Sequence, residues 1–148
     1  MKSPIFTVRT ANRCIEDAKQ VPTPMMLFDE LWFEQELCIL FADTNVGKSL
    51  LAVQVAQSIA SGTVIPGFQL GVPGQGVLYY DFEFNDKQFE QRYTNPPGIS
   101  FTFSSNLYRI GYNPDCKAPR IRSQDVFAEI RSHIESYRSR VLIIDNLS

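Results

Sequence analysis

Apolar runs and amphipathic stretches alternate along this chain. Leu37-Cys38-Ile39-Leu40-Phe41 is a short continuous apolar run, the pattern of a strand covered on both faces, with Cys38 as a small core residue. Lys48 to Ser61 are good helix formers, closed by Gly62 as a C-terminal cap. Leu50, Leu51, Val53, Val55, Ala56 and Ile59 cover most of that helix, which predicts a buried one. Val77-Leu78-Tyr79-Tyr80 is a second strand, running into Asp81-Phe82-Glu83. Asn85 with Gln88 three residues on forms a capping-box pattern for a helix to about Tyr93.

The segment 66–76, rich in glycine and proline, reads as a loop, and 94–119 as irregular apart from an edge strand at Leu107-Tyr108-Arg109-Ile110. Ser123 then caps a helix with Val126, Phe127, Ile130, Ile134 and Tyr137 at a 3.6-residue period. Val141-Leu142-Ile143-Ile144 is an apolar strand ending in Asp145. Strands alternating with helices predict an α/β fold, a parallel sheet with helices on both faces. Residues 1–30 read as a lead-in, with a short helix over Ala11–Lys19 broken by Val21-Pro22-Thr23-Pro24, and 31–148 as the core.

Composition adds exclusions. With 44% apolar and 20% charged residues, 148 residues suit one soluble globular domain rather than a disordered chain. A formal net charge of −2 gives no overall basic field for coating nucleic acid. No apolar run approaches the roughly 18 residues of a membrane span, and Met1 to Phe6 lacks a secretory signal's apolar stretch. Cys14, Cys38 and Cys116 share no metal-ligand spacing, so reduced cysteines in a cytoplasmic protein are expected rather than a disulfide framework.

The chemistry gathers where strands end. Ala42-Asp43-Thr44-Asn45-Val46-Gly47-Lys48-Ser49 lies between the first strand and the first long helix, the context of a phosphate-binding P-loop. Backbone N–H groups of such a loop converge on phosphate, and the helix dipole adds positive potential. Gly47 allows close approach, Lys48 supplies a mobile charge, and Ser49 offers a hydroxyl to Mg²⁺. The expected nucleotide-binding residues are Asp43, Thr44, Asn45, Val46, Gly47, Lys48, Ser49 and Leu50. Ala42 stands where the pattern has glycine, the smallest departure available. An ordinary strand-turn-helix is the bland alternative.

Asp145, ending an apolar strand, is placed to hold Mg²⁺ through water; by itself it could equally cap the next element. Glu83 can orient or deprotonate a water attacking a terminal phosphate. Asp81, two residues earlier, shares its side if the extended backbone persists, and is a supporting or structural candidate. Solvated strand-end acids are the alternative for both.

These segments resemble RecA-like P-loop ATPases, closest to the AAA-family branch that includes plasmid-type replicative helicases of the RepA kind. The resemblance covers about residues 25–148 and rests on Glu36 to Ala42, Thr44 to Ser49, Tyr79 to Glu83 and Val141 to Asn146. It implies a RecA-like sheet, Glu83 and Lys48 as catalytic residues, Mg²⁺ at Ser49 and Asp145, and ATP as the nucleotide. It further implies a homo-oligomer, and action on single-stranded DNA in replication or plasmid mobilisation through regions beyond Ser148. In that arrangement another strand fits between the P-loop strand and the one bearing Asp145. The expectation is therefore a fold incomplete at its C-terminus, with a gap or a partner's strand between Leu37–Phe41 and Val141–Ile144, marginal stability and self-association. The competing expectations are an ATP-binding switch that hydrolyses little, or an inactive fragment of a longer ATPase.

The remaining candidates have plain readings. His133 has no Cys or His partner nearby and reads as solvated or partly buried. Tyr79, Tyr80, Phe82, Phe84, Phe101 and Phe103 read as core ahead of base-stacking platforms. Arg92, Arg109, Arg120, Arg122, Arg138 and Arg140 include possible arginine fingers, and their spacing selects none.

Overall fold

A computed structural model describes residues 6–43, 45–116 and 122–145. In chain order its elements are α1 (Ala11–Ala18), β1 (Met26–Phe28), β2 (Trp32–Phe33), α2 (Lys48–Ser61), β3 (Val77–Asp81) and α3 (Asp86–Arg92). Then come β4 (Thr94–Asn95), β5 (Ile99–Ser100), β6 (Leu107–Ile110), α4 (Ser123–Ser136) and β7 (Val141–Asp145). Three strands make the central sheet in the order β6-β3-β7, all parallel, with β6 at an edge as expected. The register sets Leu78 against Leu142 and Tyr108, and Asp81 against Asp145.

Side chains two apart on a strand share a face, so Val77, Tyr79 and Asp81 face one way and Leu78 and Tyr80 the other. The first face carries α2. Val53, Ala56, Ile59 and Ala60 of that helix join Val77, Tyr79 and Val141 in one buried cluster. Each large side chain buried there contributes roughly 1.5–3 kcal/mol relative to exposure. The second face carries α4, where the Tyr80 hydroxyl meets His133 Nδ1 at 2.8 Å and the Tyr108 and Tyr137 rings lie 4.6 Å apart. Helices thus cover both faces of a parallel sheet.

Local signals account for the ends of these helices. Gly62 ends α2 in the left-handed region at φ 71° and donates its N–H to the Ser58 carbonyl at 2.9 Å. The Ala60 carbonyl, an orphan of the last turn, accepts from Ser104 Oγ and Asn106 Nδ2, each at 3.1 Å. The Asn85–Gln88 capping box opens α3. At α4 the cap is one residue earlier than expected. Ser123 is the first helical residue, and the Asp125 carboxylate accepts both the Arg122 backbone N–H at 3.2 Å and the Arg122 guanidinium at 2.9 Å.

The sheet lacks one expected strand. Leu37–Phe41 is not in any ladder, and Leu37, Ile39 and Phe41 are 87%, 72% and 86% exposed. A strand is held by its neighbours' hydrogen bonds, and no described segment pairs with this one. Cys38 is therefore exposed rather than a core residue. The outer edge of β7 is likewise unpaired among the described residues, so the two segments are not partners of each other.

Burial elsewhere is thinner than the apolar periodicity suggests. The side of α2 bearing Leu50 and Leu51 is exposed, and α4 buries no residue fully, with Phe127 at 69% exposure. A three-stranded sheet offers too little surface to cover either helix all round. Conversely, the antiparallel β1–β2 pair was not expected, and it carries Leu27 and Phe28, both 4% exposed, into the core. The Phe28 ring packs 4.9 Å from Phe68.

Candidate functional site

The P-loop sequence folds as a tight connection into the N-terminus of α2. Asn45 and Gly47 take left-handed backbone at φ 63° and 95°, curling the chain as loops do when they turn N–H groups toward an anion. Gly47 is the N-cap, so no side chain occupies the orphan N–H groups of the first turn. A Cβ placed on Gly47 would meet nothing within 4 Å, which leaves the approach to those groups open. A 14-residue helix with a free N-terminus fits an anionic phosphate chain.

Lys48 and Ser49 begin α2 and reach different partners. The Lys48 ammonium donates to the carbonyls of Ala42 at 2.9 Å and Asp43 at 3.0 Å, folding back over its own loop. The Ser49 hydroxyl donates to Glu83 Oε2 at 3.0 Å. That bond joins the loop to the C-terminal end of β3. Asp43, Asn45, Val46 and Leu50 are exposed around it, whereas Thr44 lies outside the described residues.

Asp81 and Glu83 do not share a side. The extended backbone ends at Asp81, which is 2% exposed, while Glu83 is exposed. Asp81 Oδ1 accepts the N–H groups of Glu83 at 3.1 Å and Phe84 at 2.9 Å, turning the chain after the strand. Its other oxygen accepts from Arg109 Nε at 2.8 Å. Burial works to lower the Arg109 pKa, but the bonds to Asp81 and Asp86 outweigh it and raise the net value.

Asp145 ends β7 beside Asp81 in register. Its Oδ2 accepts from the Tyr79 hydroxyl at 2.5 Å. Burial pushes the Tyr79 pKa well above the ordinary tyrosine range, and the hydrogen bond to Asp145 pushes it further, so Tyr79 stays a donor. The bond fixes one oxygen of Asp145 and orients the carboxylate. Hydroxyl and carboxylate oxygens are the hard donors Mg²⁺ prefers, so Ser49 and Asp145 suit that ion in kind. Among the described residues there is no cluster of three or more His, Cys, Asp or Glu side chains able to hold a metal by themselves.

Sequence reasoning undervalued two groups. Arg109 stood among the finger candidates, but here it is committed to Asp81 and Asp86 within its own chain. The available signal was an arginine inside a four-residue apolar strand, which needs a buried acid as partner. His133, read as solvated or partly buried, is partly buried and also bonds Tyr80 across the sheet face. Of the other arginines, Arg92 lies over the Phe84 ring at 4.2 Å and Arg122 pairs with Asp125. Arg138 and Arg140 are exposed, and Arg120 lies outside the described residues, as does Asn146. Tyr79 and Tyr80 are core residues as expected, but Phe101 is 55% exposed.

No helix among the described residues is long and apolar enough to cross a membrane. No curated protein and no solved structure matches the chain. A family model described as an AAA domain matches residues 7–148, nearly the whole chain. The chain belongs to the AAA domain family, and that membership points to a nucleotide-binding, ATPase-type function.

Proposed function

We propose that this chain binds ATP with Mg²⁺ at the loop Asp43–Leu50 and hydrolyses the terminal phosphate. The observation that carries this reading is the Ser49–Glu83 hydrogen bond, which joins a P-loop hydroxyl to a strand-end carboxylate. The loop N–H groups and Lys48 would hold the phosphates, Lys48 giving up its carbonyl partners for them. Ser49 and Asp145 would hold Mg²⁺, Asp145 through water, and the ion would neutralise charge building on the phosphate oxygens. Glu83 would orient the attacking water or take its proton. Tyr79 keeps Asp145 in one orientation.

The RecA-like arrangement, the homo-oligomer and a role on single-stranded DNA in replication or plasmid mobilisation rest on resemblance alone. A second reading, an ATP-binding switch with little hydrolysis, draws on the same contact. Glu83 is tied to Ser49 and Lys48 to its own loop, so both must be released before chemistry.

A nucleotide titration of the parent and of Lys48→Ala tests the core of the proposal. Hydrogen bonds to charged groups contribute roughly 1.5–3 kcal/mol, so ATP affinity should fall about ten- to a hundredfold. Equal affinity of parent and variant would remove the reading. Turnover measured with and without single-stranded DNA then separates hydrolase from switch.

A further inference from the structure

Glu83 has an exposed side chain on a turn just past the end of β3, and if its bond to Ser49 is given up for chemistry the turn itself must fix where it points. The fixing groups lie beneath it. One oxygen of Asp81 holds the N–H of both Glu83 and Phe84. The carboxylate is 1% exposed, and a buried charge of that kind needs a partner. Arg109 is its only ion-pair partner among the described residues.

The guanidinium does more than neutralise. While Nε bonds Asp81, one terminal nitrogen donates to the Phe84 carbonyl and the other to Asp86 Oδ1 at 2.6 Å, in the first turn of α3. The Phe89 ring lies under the group, 4.6 Å from Cζ. Phe84 is thus held at its N–H by Asp81 and at its carbonyl by Arg109. A planar fork that reaches three acceptors at once is a task for arginine, which lysine's single ammonium cannot reproduce.

We propose that Arg109 is a positioning residue for Glu83, acting through Asp81 and the turn Phe82–Phe84. This rests on the reading of Glu83 as the base for hydrolysis. Removing Arg109 leaves the Asp81 carboxylate buried without a cation, frees the Phe84 carbonyl and loosens the turn. The nucleotide contacts on α2 are untouched, so the loss falls on turnover rather than on binding.

The test combines kinetics with amide exchange on the full chain. Arg109→Gln should lower kcat about 10- to 100-fold, the scale of a displacement near 1 Å at a reacting group, with ATP affinity changed less than about twofold. Arg109→Lys should recover only part of the loss. In a Glu83→Gln background the same substitution should cost almost nothing more, as expected of residues acting as one unit. Independently of any turnover, Arg109→Gln should speed exchange at the Glu83 and Phe84 amides at least about tenfold, with those of Leu78 and Tyr80 unchanged. Equal loss in both backgrounds, or acceleration spread evenly through β3, would overturn the proposal by showing a general structural role. A parental rate in Glu83→Gln alone would instead refute the base reading, and the exchange pattern would still decide whether Arg109 holds the turn.

Discussion

Ser49 and Glu83, 34 residues apart in sequence, are joined by a hydrogen bond of 3.0 Å between the first turn of α2 and the turn after β3. The contact puts the carboxylate within reach of whatever the loop holds. Ser49 could offer an oxygen lone pair to Mg²⁺ while its O–H still points at Glu83, which would leave the second carboxylate oxygen of Glu83 to hold a water. Glu83→Gln keeps the shape and still accepts from Ser49, but cannot take a proton. Turnover should fall roughly 10²–10⁴-fold, the usual contribution of a positioned base, with ATP affinity nearly unchanged. A steady-state rate matching the parent's would return Glu83 to a solvated strand-end acid.

Two glycines around α2 should separate strain from steric conflict. Both adopt positive φ, Gly47 at 95° and Gly62 at 71°. For Gly47→Ala the added Cβ meets nothing, so the stability cost is backbone strain alone, about 1–2 kcal/mol. At Gly62 the Cβ would sit 2.8 Å from the Gly74 backbone nitrogen, which must move. Gly62→Ala should therefore destabilise more than Gly47→Ala, yet only Gly47→Ala should weaken nucleotide binding. Urea unfolding with a nucleotide titration checks both; the reverse order of stability would contradict the packing argument.

Which features were legible follows from the range of the forces that make them. The α2 boundaries and the Asn85–Gln88 box are set by neighbours a few residues apart, and β3, β6 and β7 lie where the apolar pattern puts them because each finds a ladder partner. Leu37–Phe41 has an equally strong strand pattern but no ladder partner among the described residues, and pattern cannot supply one. The two-residue strands β2, β4 and β5 are shorter than any period that could announce them. At the site, the loop residues are recognisable in sequence because their function requires contiguity. The partners of Asp81 are not, because Arg109 comes from a strand 28 residues later. That is why Asp81 could be read only as a supporting acid and Arg109 only as one arginine among six.

Alkaline pH should expose the Tyr80–His133 link. Burial, with a smaller contribution from the charge of Glu129, raises the Tyr80 pKa above its ordinary 10.0. A raised folded value means that the unfolded chain loses its proton first. The stability Tyr80 contributes is thus full below about pH 10 and is lost as pH climbs through the raised value. Tyr80→Phe removes that dependence, and at neutral pH it forfeits one hydrogen bond, about 0.5–1.5 kcal/mol. Urea melts from pH 8 to 11.5 should fall less steeply for the variant, by at most about one proton's worth of slope. Parallel curves for parent and variant would show that Tyr80 does not carry this term.

The exposed run Leu37–Phe41 makes the last prediction. Its five residues carry no charge and no proline, and Leu37, Ile39 and Phe41 are each more than 70% exposed. Apolar segments of this composition pair with unoccupied strand edges, and the outer edge of β7 is one among the described residues. A second copy of the chain brings both features, so the run of one molecule can meet the edge of another. The chain should therefore self-associate, with onset at about 10–100 µM, where exposed apolar surface and open edges become hazardous. Ile39→Lys places a charge in the middle of the run without touching the folded core, and charges there discourage edge pairing. Sedimentation velocity should show the variant shifted toward monomer while its melting temperature stays the same. A parent that remains monomeric to about 100 µM, or a variant that associates equally, would mean that the exposed run is not what brings copies together.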